Sequence, residues 1–251
     1  MNQIQIKQGD CLELMKEIPN ESIDMILCDL PYGTTRNSWD EVIPFDKLWA
    51  QYNRIIKDNG AILLFAQGKF YVNLVNSNMK MFRYDLVWDK ELVSGFLNAK
   101  RMPLRRHEQV AVFYKHLPTY NPQFTQGKPL HSKGTAYKEK ELTNNNYGDF
   151  KTTDDDRAGS TEKYPTSIMK FQKPHPSACV HPTEKPVALL EYLVKTYTNE
   201  GDVVLDNCMG SGSAGVACIN TNRNFIGYEL DEHYFQIAKE RLEQHECKTN
   251  I

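Results

Sequence analysis

Residues 203–229 spell out a strand, a glycine-rich loop, a helix and a second strand with no spare residues between them, which commits this part of the chain to an α/β sheet. Val203-Val204-Leu205-Asp206 is short and apolar, and Asn207 to Gly215 then leads into an apolar helical stretch that runs to Asn220. The next strand, Asn224 to Glu229, again ends in a carboxylate. Gly210, Gly212 and Gly215 satisfy Gly-x-Gly-x-x-Gly, and Glu229 stands where a ribose-binding acid belongs, so a dinucleotide is one reading of the loop. Asp206 argues for another. A carboxylate at the end of the strand faces a pyrophosphate badly but suits a ligand whose ammonium and sulfonium groups are positive.

Two further segments carry chemistry. Ile23 to Cys28 is an apolar run of strand length, and Asp29-Leu30-Pro31-Tyr32-Gly33-Thr34-Thr35 follows it, placing a carboxylate, a proline-bent backbone and an aromatic ring at the carboxyl end of a buried strand. In an open α/β sheet that is where ligands bind. A strand that simply ends in a Pro-Gly turn gives the same spacing. His181-Pro182-Thr183-Glu184-Lys185-Pro186 precedes Val187 to Val194, apolar at helical spacing, with Pro186 near the first turn where a helix tolerates proline.

Together these segments resemble the amino-methylating DNA methyltransferases. Asp29-Leu30-Pro31-Tyr32 resembles their Asp-Pro-Pro-Tyr motif, with Leu30 for the first proline. Asp206 to Gly212 resembles the Asp-x-Phe-x-Gly-Ser-Gly loop that holds S-adenosylmethionine, with Cys208 for the aromatic. His181 to Pro186 resembles His-Pro-Thr-Gln-Lys-Pro, with Glu184 as the departure, and in the family it leads into the helix beside the methionine end of the cofactor. The catalytic motif precedes the cofactor loop, as in the permuted β-class arrangement, and small phage and prophage adenine methyltransferases look most similar. Trp39-Asp40, Gly95 to Lys100 and Tyr164 to Ile168 add family-like text.

The resemblance implies a doubly wound mixed sheet of the Rossmann-like class I methyltransferase kind, circularly permuted, with an inserted target-recognition region. It implies S-adenosyl-L-methionine as cofactor, held by Asp10, Asp206, Cys208, Gly210, Gly212, Glu229 and Lys185. Asp10 serves equally as an N-cap for the helix that follows it. Asp29, Leu30, Pro31 and Tyr32 are the catalytic candidates: the Asp29 carboxylate and the Leu30 carbonyl accept the two protons of a base amine, which localises its lone pair, while the Tyr32 ring stacks on the base. The base must leave the duplex to reach them. The expected partner is therefore double-stranded DNA with a flipped target base, and family members often form homodimers. An aspartate at the head of the motif favours adenine N6, since cytosine N4 enzymes usually begin it with serine. A DNA-binding protein on a degenerate methyltransferase fold is the reading from another class, and the retained carboxylates argue against it.

Composition adds bounds. At 251 residues and 29.0 kDa the chain suits one sizeable α/β domain with an inserted lobe, and a net charge of −2 gives no whole-protein nucleic-acid signature. Charge distribution does: Lys100, Arg101, Arg105, Arg106, Lys115, Lys128, Lys133, Lys138 and Lys140 face only Glu108 and Glu139 over the same stretch, a footprint suited to phosphates. Lys100, Arg101, Arg105 and Arg106 are the DNA-binding candidates. Cys11, Cys28, Cys179, Cys208, Cys218 and Cys247 show no Cys-x-x-Cys pair, which argues against zinc and suits a reducing cytoplasm. No apolar run approaches membrane-spanning length, and the opening residues lack a signal-peptide core. The expected organisation is a catalytic part over 1–116, a target-recognition insertion over 117–177 and a cofactor-binding part over 178–251. Within the insertion, Asn144 to Asn146 and Asp154 to Asp156 interrupt any periodicity.

Overall fold

The computed structural model describes residues 2–33, 40–129, 159–173 and 184–249. The elements in chain order are β1 (Ile4–Gln8), α1 (Cys11–Leu14), β2 (Ile23–Cys28), α2 (Phe45–Ile55), β3 (Ile56–Ala66), α3 (Gly68–Ser77), β4 (Phe82–Ser94), β5 (Arg105–Phe113), β6 (Thr125–Gln126), β7 (Glu162–Lys163), β8 (Ile168–Lys170), α4 (Val187–Tyr197), β9 (Val203–Asp206), α5 (Ser213–Asn220), β10 (Asn224–Glu229) and α6 (Glu232–Thr249).

One unit, Met1–Asn121 with Thr166–Ile251, holds an eight-stranded sheet in the order β1-β10-β9-β2-β3-β5-β4-β8. Strands β1, β10, β9, β2 and β3 run parallel, whereas β5 is antiparallel to both β3 and β4. The two strands whose loops carry the sequence motifs are neighbours, with Met25 opposite Val204 and Ile26 opposite Leu205. From this pair the chain connections run outward in opposite directions, so Asp29 and Asp206 flank the place where an α/β sheet opens a crevice.

Both faces of the sheet are covered, which is why its central strands are continuously apolar. On β2, Met25 and Leu27 enter a core shared with α4, α5 and α6, while Ile26 and Cys28 enter a second core against α2 and α3. Helix α2 buries Leu48, Trp49, Tyr52 and Ile55, one stripe at helical spacing. Helix α5 carries no charge, and every side chain from Ser213 to Ile219 is buried, which fits an element covered on all sides.

Strand β8 pairs Val87 with Ile168 at the sheet edge. It lies in a stretch that reads as irregular from sequence, because a three-residue strand with Met169 as its one buried side chain is too short to show a period. Thr166 to Lys173 thus joins the sheet-bearing unit and not the expected insertion over 117–177. The other unit, Pro122–Pro165, contains the β6–β7 pair and a ring contact between Phe124 and Tyr164 at 4.9 Å. Thr34, Thr35, Trp39, Lys133, Lys138, Lys140, Asn144 to Asn146, Asp154 to Asp156, Cys179 and His181 to Thr183 lie outside the described residues.

Candidate active site

A cavity of about 580 Å³ opens at the carboxyl ends of the parallel strands, and Asp10, Asp29, Tyr32, Lys185, Asp206 and Glu229 all line it. Its volume lies within the usual range for a site that takes a small cofactor, roughly 300 to 1,000 Å³.

The cofactor loop is built from close packing. Gly212 has φ +77°, a left-handed conformation disfavoured by any side chain, and a Cβ there would stand 3.2 Å from that of Ala238. Gly227, on the neighbouring strand, leaves room for Met209, whose sulfur would lie 2.5 Å from an added Cβ. The Asp206 carboxylate accepts the Cys208 amide at 3.1 Å, and burial pushes its pKa up to about 7. Glu229 accepts the amides of Gly210 (2.8 Å) and Asp231 (2.9 Å), and burial raises it too. Asp10 caps α1 through a 2.7 Å bond from the Leu12 amide, the structural role weighed above, and also lines the cavity.

Several supports of this loop were not expected from sequence. The Tyr52 hydroxyl donates to the Asn207 side-chain carbonyl at 2.5 Å, and the Asn207 amide reaches the sulfurs of Cys11 and Cys208, both at 3.5 Å. Glu184, the departure from glutamine, pairs with Arg241 at 2.8 Å and accepts from the Ser213 hydroxyl at 3.3 Å. Arg241 also binds Ser211, so the substituted charge ties the cofactor loop to the start of α4.

At the catalytic end, Asp29 accepts from the Tyr32 hydroxyl at 2.7 Å and from the Lys185 ammonium at 2.5 Å. Lys185, expected at the cofactor, is buried against Asp29 and Glu108, with its ammonium 3.2 Å from a Glu108 oxygen and over the rings of Phe65 and Trp88. Lys90 takes the other Glu108 oxygen at 3.2 Å. Four alternating charges, Asp29, Lys185, Glu108 and Lys90, therefore run along the cavity wall, each compensated by its neighbour. Burial pushes the Asp29 carboxyl above the ordinary carboxylate range, with the Lys185 ammonium opposing and the Glu108 carboxylate adding. Burial alone would raise Glu108, but Lys185 and Lys90 hold it lower, and the two carboxylates overcome burial to keep Lys185 protonated. The Tyr32 ring stacks on Phe70 with centroids 4.7 Å apart. Its hydroxyl thus has a partner that the stacking role alone does not supply. Leu30 is buried, and Leu30 and Pro31 line the cavity.

Of the basic candidates, Lys100 and Arg101 are exposed. Arg105 reaches Gln67 at 3.2 Å and lines the cavity, whereas Arg106 is held by both oxygens of Asp89, at 2.7 and 3.0 Å. Among the described residues no group of His, Cys, Asp and Glu side chains has a metal-holding arrangement, and no helix is long and apolar enough to cross a membrane.

Three of the carboxylates that line the cavity, Asp10, Asp206 and Glu229, surround a left-handed glycine loop, an acceptor set that fits a ligand with a cationic amino-acid end and a ribose. Comparison with known proteins agrees. The DNA methylase family profile matches residues 23–240, so the chain belongs to this family of S-adenosylmethionine-dependent enzymes that methylate base amino groups in DNA. Type II methyltransferase M.HpaI of Haemophilus parainfluenzae is 26% identical, over 94% of this chain and 73% of its own length. DNA adenine methyltransferase YhdJ of Escherichia coli (strain K12) is 25% identical, over 95% of this chain and 82% of its own. The solved M1.HpyAVI–SAM complex superposes with a TM-score of 0.63 at 26% identity, covering 95% of this chain and all of that one. The cytosine-N4-specific PvuII DNA methyltransferase, at 15% identity and a TM-score of 0.67 over 98% and 91% of the two chains, shares the fold.

Proposed function

We propose that the protein transfers the methyl group of S-adenosylmethionine to the N6 amine of adenine at a specific duplex sequence. The observation that carries this reading is the placement of Asp29 and Asp206 on adjacent strands, lining one cavity. Asp206 holds the methionine ammonium and Glu229 the ribose hydroxyls, with Asp10 at the adenine end of the cofactor and Gly210 and Gly212 letting the backbone approach. When bound, the cofactor supplies a methyl group on a positively charged sulfur, ready for in-line displacement.

The residues of the chain prepare the other reactant. An exocyclic amine is a poor nucleophile while its lone pair is delocalised into the ring. Hydrogen bonds to the Asp29 carboxylate and the Leu30 carbonyl draw the nitrogen towards tetrahedral geometry and localise that pair. Tyr32 stacks on the flipped base, and positioning is the chief contribution. The raised Asp29 carboxyl accepts the departing amine proton better than an ordinary aspartate, and Lys185 fixes its second oxygen.

Adenine is supported by the aspartate at the head of the motif and by the naming of the YhdJ relative. Lys100, Arg101 and Arg105 contact phosphates, and the Pro122–Pro165 unit with the residues around it selects the sequence. The protein acts in the cytoplasm, a setting that its free thiols suit. Expression in a methylation-free bacterial host followed by modified-base mapping tests the reading. N6-methyladenine at one recurring sequence is expected; N4-methylcytosine, or no modified base, would refute it.

A further inference from the structure

Ser94 and Arg105 pair across the open end of β4 and β5, and both line the catalytic cavity. The turn between them stands on the rim. It is folded: Gly95 at φ +85° opens a 3-10 turn over Phe96–Asn98, and Asn98 and Ala99 amides bond back to Gly95 and Phe96 at 2.9 and 3.0 Å. The Arg101 and Met102 amides close on the Asn98 carbonyl at 2.8 and 3.0 Å. This ordered turn presents Leu97 at 100% exposure and Phe96 at 79%, with Val93 and Met102 also more than half exposed.

Large apolar side chains held in water on a rigid turn gain nothing for the folded chain and mark a contact surface. Its setting selects the partner. Lys100 and Arg101 lie on the turn and Arg105 at its foot, so two copies meeting here would oppose cation to cation, while a polyanion is attracted. Side chains such as Leu and Phe, flanked by cations, are the kind that proteins insert between base steps of DNA.

Resting on the DNA-methylating reading above, we propose that Leu97 and Phe96 form a wedge that enters the base stack beside the target and fills the space the flipped adenine leaves. The wedge then stabilises the opened duplex at the cavity mouth, where a base swung out of the helix must pass.

The test uses the full chain and two duplexes containing the mapped site, one normal and one with an abasic position opposite the target adenine. Leu97→Ser and the double variant with Phe96→Ser keep the fold intact, because both side chains are outside the core. On the normal duplex kcat/KM should fall on the order of tenfold or more per side chain, the factor that burial of one large apolar group supplies. On the abasic duplex the loss should stay within about threefold, since unpairing is already done there. Cofactor affinity by calorimetry should not change. Equal losses on both duplexes, no loss on either, or a variant that splits a dimer in sedimentation would overturn the wedge. Absence of methyl transfer by the unaltered chain to either duplex is a different result, and defeats the proposed function itself.

Discussion

Affinity for S-adenosylmethionine should fall as pH drops below 7, because the role proposed for Asp206, holding the methionine ammonium, needs an ionised carboxylate. The structure supplies the working numbers. Burial raises the Asp206 carboxyl from the ordinary 3.8 to about 7 before ligand binds, and the neighbouring Asp29 and Glu229 charges push the same way. A bound cation favours the carboxylate and so lowers that pKa. Binding therefore releases a proton below pH 7, and each pH unit lower costs about tenfold in affinity, or about 1.4 kcal/mol. Above pH 7 this dependence saturates. The ligand's own amine begins to lose its proton at about 7.7 to 8.0, so affinity should peak between the two. Calorimetry from pH 5.5 to 7.5, in two buffers of different ionisation enthalpy, reads both the slope and the proton released. Asp206→Asn should bind on the order of 10- to 100-fold more weakly at pH 7.5, the loss of a charge-assisted bond, and should lose the acid slope. The folded chain without ligand shows the opposite face of the shift. Its Asp206 binds a proton between pH 4 and 7 that the unfolded chain has released, so this group disfavours folding as pH rises through that window, by up to about 4 kcal/mol. Asp206→Asn should accordingly melt higher at pH 8 while binding less. A wild-type affinity that is flat across the range, or a slope that persists in Asp206→Asn, would refute the assignment.

Asp29→Ala should leave cofactor affinity nearly intact and abolish methyl transfer, since its proposed role is to face the amine; calorimetry beside a tritium-transfer assay separates the two, and a parallel loss of affinity would count against it. Lys185→Met should move the acid limb of the kcat–pH profile to higher pH, because Lys185 lowers the Asp29 carboxyl and no other cation among the described residues pairs with it; an unmoved limb would make Lys185 a packing residue. Tyr32→Phe keeps the ring and loses the 2.7 Å bond to Asp29, so kcat should drop by about 1 kcal/mol, while Tyr32→Ala should lose roughly 1 to 3 kcal/mol more through stacking. Glu229→Gln should weaken cofactor binding by on the order of 1 to 3 kcal/mol, and unchanged affinity on titration would detach Glu229 from the ribose.

How much of this was legible beforehand depends on whether a residue's role is local. Strand β2 and the loop after β9 are read from sequence because an apolar run, a terminal carboxylate and a left-handed glycine express themselves within a few residues. Their adjacency is a matter of long-range pairing and is observed as the Met25–Val204 register. The charge chain behind Asp29 was not legible, since Lys90, Glu108 and Lys185 come from β4, β5 and the entrance to α4, and nothing local says that they meet. One signal pointed that way. Glu108 is the lone acid after Arg105, Arg106 and His107, two residues before the apolar run Val110 to Phe113 of the same strand, and an acid entering a core needs a cation. A count of positive residues assigns Arg106 to phosphate, and the structure gives it an intramolecular partner in an exposed two-bond pair with Asp89. A surplus of basic residues along a chain locates a binding face only after internal ion pairs are removed. Of the four DNA-binding candidates that leaves Lys100 and Arg101 beside the exposed apolar turn and Arg105 on the cavity rim, the three to which phosphate contact is proposed.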